Sequence, residues 1–317
     1  MAGGKVIKRG KTRIVRATLR RSIGALQDQL ISQIARTRYE KAILRYFEWL
    51  EGEEMGLPGD EKLLDENLCV YIEDVWQSGE VKALVSNLLS GLGSLCKNLK
   101  GKYKTAWALY TAWGQLEMPQ RARPFSEIDI LAIAGRLIKA GQYELGILVL
   151  IGFHCILRTS EMLSLRVASC EFSRCGKCCL LKLGFTKGGK RKGKEESVTV
   201  TDKFLVKALH LLCEGKDAGD LLVDCSYQVF RRVLGDVLLY LGMDKQGYRS
   251  YSIRRGGATY NFRVTGSYDR TCERGRWGNV KTCRMYIDEA ANLSSVTLSN
   301  RSKARFNSCL SVAQGIV

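Results

Sequence analysis

The sequence predicts a mainly α-helical chain with one small β-hairpin, divided into two domains. Three observations predict it. Apolar residues recur at helical spacing through most of the 317 residues. Proline, which breaks helices, occurs only three times. A single stretch, 178–201, abandons the helical period for two β-type runs around a Gly- and Lys-rich turn. The length exceeds one ordinary domain of ~100–200 residues, and a hydrophobic fraction of 45% is enough for a sizeable core.

Residues 1–22 carry Lys5, Lys8, Arg9, Lys11, Arg13, Arg16, Arg20 and Arg21 with no acid. Such a run is expected to be a disordered basic arm able to lie along phosphates. A mitochondrial transit peptide has the same Arg-rich look, but this run holds little leucine. Residues 23–115 then read as a helical bundle. Tyr39, Ile43, Tyr46, Phe47 and Leu50 form one apolar stripe, and Leu84, Val85, Leu88, Leu89, Leu92 and Leu95 form another. Residues 116–125, LEMPQRARPF, hold two of the prolines and are expected to be the linker.

The second domain is expected over 126–291. Ser126 and Asp129 make a capping pair that opens a helix, and Gly141 sits where it should stop. A second helix runs from Tyr143 to Leu157. Leu180 to Phe185 and Ser197 to Val200 are the strands, with KGGKRKGK at the turn. Asp202 caps a helix through Leu212, and helices at 226–242, 251–264 and 279–291 complete the domain. Residues 292–317 form a tail of low charge.

The formal charge of +18 points to a polyanion as partner, nucleic acid above all. The longest apolar stretch, Ile147 to Phe153, falls far short of the ~18 residues of a membrane span, so no membrane partner is expected. Twelve cysteines without a secretory signal read as reduced, intracellular thiols. Cys175, Cys178 and Cys179, with Cys170 nearby, hint at zinc, but a closed site needs a second ligand pair that is not evident. A cysteine-rich strand start is the simpler reading, and no metal is expected. Gly184 to Lys190 mimics a phosphate loop, yet Arg191 takes the Ser/Thr place and the run lies between strands. Only His154 and His210 exist, both on apolar helical faces, which argues against histidine-based hydrolysis.

A phosphodiester can be cleaved without metal by a nucleophile, cations on the non-bridging oxygens and a proton donor for the leaving hydroxyl. Arginine meets phosphate oxygens bidentately, and lysine donates a proton once its pKa falls in a positive site. The second domain supplies these parts in order: Arg158 in ILRTSEMLSLR, Lys187 in FTKGGKRKGK, Arg254 in YSIRRGGAT, Trp277 in RGRWG and Tyr286 in KTCRMYID. Trp277 follows Arg254 by 23 residues, and Tyr286 follows Trp277 by nine. Taken singly, each has a plainer reading as a core aromatic, a helix-end charge or a solvated lysine.

Together these residues resemble the signature of the tyrosine recombinases, the family of phage integrases and Cre-like enzymes, over roughly 120–290. The RRGGAT and GRW segments are most similar to recombinases of eukaryotic mobile elements of Crypton or DIRS type. The resemblance implies a two-domain DNA clamp: a helical N-terminal core-binding (SAM-like) domain and an α+β catalytic domain. It implies that Arg158 and Arg254 clamp the scissile phosphate, that Lys187 protonates the departing 5′ oxygen, and that the Trp277 indole N–H binds the phosphate. Tyr286 would form a 3′-phosphotyrosyl bond, with neither ATP nor any other cofactor. Glu161 matches a position that buttresses the site. One position departs from the pattern: Tyr251 stands where the family usually has histidine, and a phenol is a poor base at pH 7.

Arg121, Arg123, Lys190, Arg191, Lys192, Lys194 and Arg255 are the expected phosphate contacts. The implied partner is double-stranded DNA, bound by a homo-tetramer on paired sites, with no small-molecule substrate. The implied location is intracellular, nuclear if the source is eukaryotic and cytoplasmic otherwise. The tail is expected either to contact a neighbouring subunit or to fray. The competing readings are DNA relaxation of the type IB topoisomerase kind and a catalytically silent DNA-binding protein.

Overall fold

In a computed structural model of the chain, residues 12–118, 120–184, 186, 189, 193–289 and 298–315 are described. Lys187, Lys190, Arg191 and Lys192 therefore lie outside the described residues. The chain divides into two compact units, Met1–Gln120 and Arg121–Val317.

In the first unit, α1 (Arg13–Ile23) corrects the expectation of a disordered arm for the residues described there. Thr12 caps it by accepting the Val15 N–H, and Arg20 and Arg21 in the last turn suit the negative end of its dipole. Four helices follow: α2 (Gln33–Gly52), α3 (Glu61–Gln77), α4 (Ala83–Leu95) and α5 (Lys104–Leu116). The two apolar stripes meet across α2 and α4, where Tyr46, Val85, Leu88 and Leu89 are buried. Gly91 permits the approach, since a Cβ there would lie 2.9 Å from Cβ of Tyr39. No residue of α5 caps its own N-terminus. The Asp65 carboxylate of α3 does so instead, accepting from Thr105 N–H at 3.0 Å and Ala106 N–H at 2.9 Å.

The second unit begins with an extended segment from Arg121 to Phe125. Arg123 N–H donates to Gly247 O and Phe125 N–H to Ser252 O, both at 3.3 Å. Helix α6 (Glu127–Lys139) opens with the Ser126–Asp129 capping box read from the sequence, both bonds being formed. Helix α7 (Tyr143–His154) is buried from Leu145 to Phe153 and forms the centre of the core. After the single turn α8 (Thr159–Met162) come β1 (Cys170–Phe172), β2 (Cys179–Gly184) and β3 (Glu196–Val200), antiparallel in the order β1-β2-β3. β1 was not expected. Cys179 and Leu181 face the core, paired with Val200 and Val198. Cys179 thus fills a strand, as the cysteine-rich strand start predicted, while Cys175 is exposed in the preceding turn.

Helices α9 (Lys203–Cys213), α10 (Tyr227–Leu241), α11 (Ser252–Thr265), α12 (Tyr268–Gly275) and α13 (Val280–Arg284) complete the body. The sequence reading missed α12 and carried the last helix through 291. Instead Asn279 caps α13 and the helix stops after five residues. Tyr286 then closes a tight turn, its N–H donating to Cys283 O at 2.9 Å. The glycines of RRGGAT have a packing role. A Cβ on Gly256 would lie 2.2 Å from Phe125 O, and one on Gly257 would lie 2.0 Å from Phe153 O, so α11 rests directly on α7 and the segment that enters the unit.

The tail is ordered where described. α14 (Asn300–Gln314) lies against α6, burying Cys309 and Ala313. Tyr240 is flanked by Arg136 and Arg305, whose guanidinium carbons lie 4.3 and 4.8 Å from its ring centre. Gly135 makes the contact possible, because a Cβ there would come within 1.9 Å of Cys309 O. Gly135→Ala is therefore expected to destabilise the second unit by about 1–3 kcal/mol through overpacking. Urea unfolding should show a lower midpoint, and limited proteolysis a more accessible C-terminus. An unchanged midpoint would contradict the close seating of α14 on α6.

Candidate active site

Arg158 sits at the N-cap of α8, so its own N–H and that of the first turn need an acceptor. Glu161, three residues on, supplies one: its Oε2 accepts the Arg158 N–H at 2.9 Å, and its Oε1 pairs with Arg158 Nη1. The same carboxylate takes Arg276 Nη2 at 2.7 Å and faces Arg254 Nη1 at 3.7 Å. Three guanidiniums thus share one buried carboxylate. Burial alone would raise the Glu161 carboxyl, but Arg276, the Arg158 N–H and the charges of Arg158 and Arg254 hold it below the usual range.

Arg254 is 1% exposed. Its Nη1 donates to Ile156 O at 2.6 Å and its Nη2 to Gly275 O at 2.7 Å. Ile156 stands at φ 50, a region that β-branched residues avoid. This twist after α7 turns its carbonyl toward both Arg254 and Arg276, which donates to it at 3.2 Å. The strain costs ~1–3 kcal/mol and is held by these bonds. Burial and the neighbouring Arg158 and Arg276 lower the Arg254 guanidinium to about 10, so it remains a cation at neutral pH.

The aromatic side of the site is equally close. The Tyr286 and Trp277 ring centres lie 4.5 Å apart, and those of Tyr286 and Tyr251 5.5 Å apart. The Arg254 guanidinium carbon lies 4.8 Å from the Trp277 ring centre and 5.4 Å from that of Tyr286. Trp277 is locked over Gly275, where a Cβ would lie 2.0 Å from its ring. Burial would raise the Tyr286 phenol. The Tyr251 hydroxyl as hydrogen-bond donor, the Arg254 charge, the nearby Trp277 indole and Arg158 bring it below its ordinary value instead. Tyr251 moves the opposite way, raised by burial and by its bond to Tyr286. Tyr251, in the place of the expected histidine, is 42% exposed and stands beside the candidate nucleophile.

The structure brings together Arg158, Glu161, Tyr251, Arg254, Trp277 and Tyr286. Arg121 is exposed and touches the turn that carries Tyr286, its Nη1 donating to Met285 O at 3.4 Å. Arg123 is half-buried against Gln246 and the Tyr248 ring, and Lys194 is exposed. Arg255 is a different matter from its expectation as a phosphate contact. It is buried and pairs with Asp288 Oδ2 at 3.2 Å, because the next position on a helix points about 100° away from Arg254. Sequence reading missed Arg276 and Glu196, although Arg276 stands inside the quoted RGRWG.

The sequence matches no protein-family model and no curated protein. Solved structures do match. The XerH site-specific recombinase bound to difH substrate in a pre-cleavage complex is 15% identical, with 81% of this chain and 79% of that one covered and a TM-score of 0.53. The Tn1549 transposon integrase in complex with transposon right end DNA is 10% identical, with 92% and 96% covered and a TM-score of 0.58. The chain has the tyrosine recombinase fold. The expectation of a mainly helical chain with a small sheet and an α+β second domain is borne out.

Glu161→Gln is expected to cost about 3–5 kcal/mol, the penalty of removing one partner from a buried charge cluster. Because the folded carboxyl lies below its unfolded value of about 4.3, its contribution is present above that value and is lost as pH falls through the lower folded one. Denaturant unfolding across the acid range should therefore show a falling limb in the wild type that the variant lacks. Equal slopes in the two proteins would contradict the placement of Glu161.

Proposed function

We propose that this protein is a site-specific DNA recombinase or integrase that cleaves and rejoins strands through a 3′-phosphotyrosyl intermediate. The observation that carries the reading is the convergence of Tyr286 with Arg254, Arg158 and Trp277, drawn from four separate segments, within one fold shared with DNA-bound recombinases. In this reading the Tyr286 oxygen, its phenolic proton released to solvent, bonds to the scissile phosphorus while the bond to the 5′ oxygen breaks and that oxygen takes a proton from Lys187. A 5′-hydroxyl from another strand later reverses the step. The phosphodiester energy is kept in the tyrosyl bond, so the chemistry calls for no ATP.

The donor inventory fits an oxyanion. Arg158 is 28% exposed and, among the described residues, its guanidinium is engaged through Nη1, which leaves Nε and Nη2 for phosphate oxygens. Arg254 Nε and Trp277 Nε1 are buried with no acceptor at full hydrogen-bond geometry among the described residues. A phosphate oxygen would satisfy such donors. Arg254, fixed by two carbonyls, acts as a preorganised charge beside the phosphorus. In this reading a Tyr286 phenol held below its ordinary value would ease formation of the attacking phenolate. Exposed Arg121 and Lys194 suit backbone phosphates, with double-stranded DNA as partner and a tetramer on paired sites as the working assembly.

A pool of nicked suicide duplexes with a randomised window tests the reading. The wild type is expected to give an SDS-stable adduct whose DNA shares a sequence on recovery, and Tyr286→Phe is expected to bind with unchanged affinity and give none. Adducts with no shared sequence would favour topoisomerase-like relaxation, and binding without any adduct would refute strand cleavage. Tyr251→Phe is expected to slow adduct formation and to move its alkaline rise to higher pH, since the phenolate then loses a donor. An unmoved pH profile would show that Tyr251 does not act on Tyr286.

A further inference from the structure

Arg276 is a third buried guanidinium that the chemistry above does not use. A guanidinium carries five N–H groups, and the four on Nη1 and Nη2 of Arg276 are committed inside the protein. Nη1 donates to Cys155 O at 3.3 Å and Arg274 O at 3.0 Å. Nη2 donates to Ile156 O at 3.2 Å and Glu161 Oε2 at 2.7 Å, while Nε faces Glu196 Oε2 at 3.6 Å. The Nη1 and Nη2 groups are thus spent within the protein, and Nε is turned toward a carboxylate. The residue also holds φ 61, a left-handed conformation uncommon for anything but glycine. The fold keeps an arginine there despite that preference.

What Arg276 joins is informative. On one side is Glu161, which holds Arg158. On the other is Glu196, the buried first residue of β3. Glu196 Oε2 accepts the Thr186 hydroxyl, and Thr186 Oγ1 in turn accepts Gly189 N–H at 3.1 Å. Gly189 is tightly seated, since a Cβ there would lie 2.5 Å from Lys194 O. Thr186 and Gly189 are anchor points in the connection between β2 and β3. A continuous polar chain therefore runs from the phosphate clamp to the base of the hairpin: Arg158, Glu161, Arg276, Glu196, Thr186.

We propose that Arg276 and Glu196 are positioning residues that register the β2–β3 hairpin against the phosphate clamp and so serve departure of the 5′ oxygen. The inference rests on the proposed recombinase reading, in which Lys187, between Thr186 and Gly189 in sequence, gives that oxygen its proton. A chain that only stabilised the fold would affect attack and departure alike. A chain that registers the hairpin affects departure alone.

The test compares two suicide duplexes of the sequence recovered from the randomised pool, one with oxygen and one with sulfur at the bridging 5′ position. Sulfur departs as a thiolate and needs no proton. Glu196→Gln and Arg276→Lys are expected to slow adduct formation on the oxygen duplex by roughly tenfold to a hundredfold, the scale of a misplaced group. On the sulfur duplex Glu196→Gln is expected to run close to the wild type, as Lys187→Ala should, whereas Arg276→Lys, which also loosens Glu161, is expected to recover only in part. Thr186→Val, which removes one hydroxyl from the chain, gives the same comparison if either charge variant fails to fold. Equal slowing on both duplexes, or no slowing on either, would overturn the proposal while a wild-type adduct leaves the recombinase reading standing. No wild-type adduct on either duplex would overturn both.

Discussion

Three guanidiniums converge on the Glu161 carboxylate, and the rest of the second unit is arranged so that this can happen. Taking a charge out of water costs several kcal/mol even after relaxation. Arg254 and Arg276 are nonetheless buried, with backbone carbonyls of Cys155, Ile156, Arg274 and Gly275 accepting from their Nη1 and Nη2 groups alongside Glu161. The cluster of Arg158, Arg254 and Arg276 against Glu161 and Glu196 keeps a surplus of positive charge. That surplus is what a phosphate needs, and it is held without freedom to rearrange.

The scaffold reaches this arrangement through close backbone contact. Gly256 and Gly257 let α11 lie on α7, so Arg254, one turn earlier, comes to rest under the left-handed turn at Ile156. Gly275 leaves room for the Trp277 ring, which in turn packs on Tyr286. Small residues here set distances between functional side chains, and the strain at Ile156 and Arg276 is carried by the same hydrogen bonds that build the site.

Much of this was legible in the sequence. The apolar stripes around Tyr46 and Leu88, the Ser126–Asp129 box and the hairpin all rest on local rules of period and capping, and the structure has them. The order Arg158, Arg254, Trp277, Tyr286 was legible as a pattern, and the four side chains do meet. The arm helix Arg13–Ile23 was missed because its charge outweighed its apolar spacing in the reading. Arg255 was misjudged because composition cannot tell a buried, paired arginine from an exposed one, and Arg276 and Glu196 were passed over for the same reason. The break before Tyr286 was missed because no glycine or proline marks it. A long-range ion pair leaves no periodic mark.

The contacts that build the site span most of the second unit. Arg254 reaches Ile156 across 98 residues, Arg276 reaches Cys155 across 121, and Arg121 reaches Met285 across 164. Loop closure over such separations must come before any of these bonds can repay it. A chain emerging from the ribosome therefore holds its cations apart until the last helices arrive, and a partly folded molecule carries no assembled site. Assembly of the candidate site and completion of folding are, for this architecture, the same event.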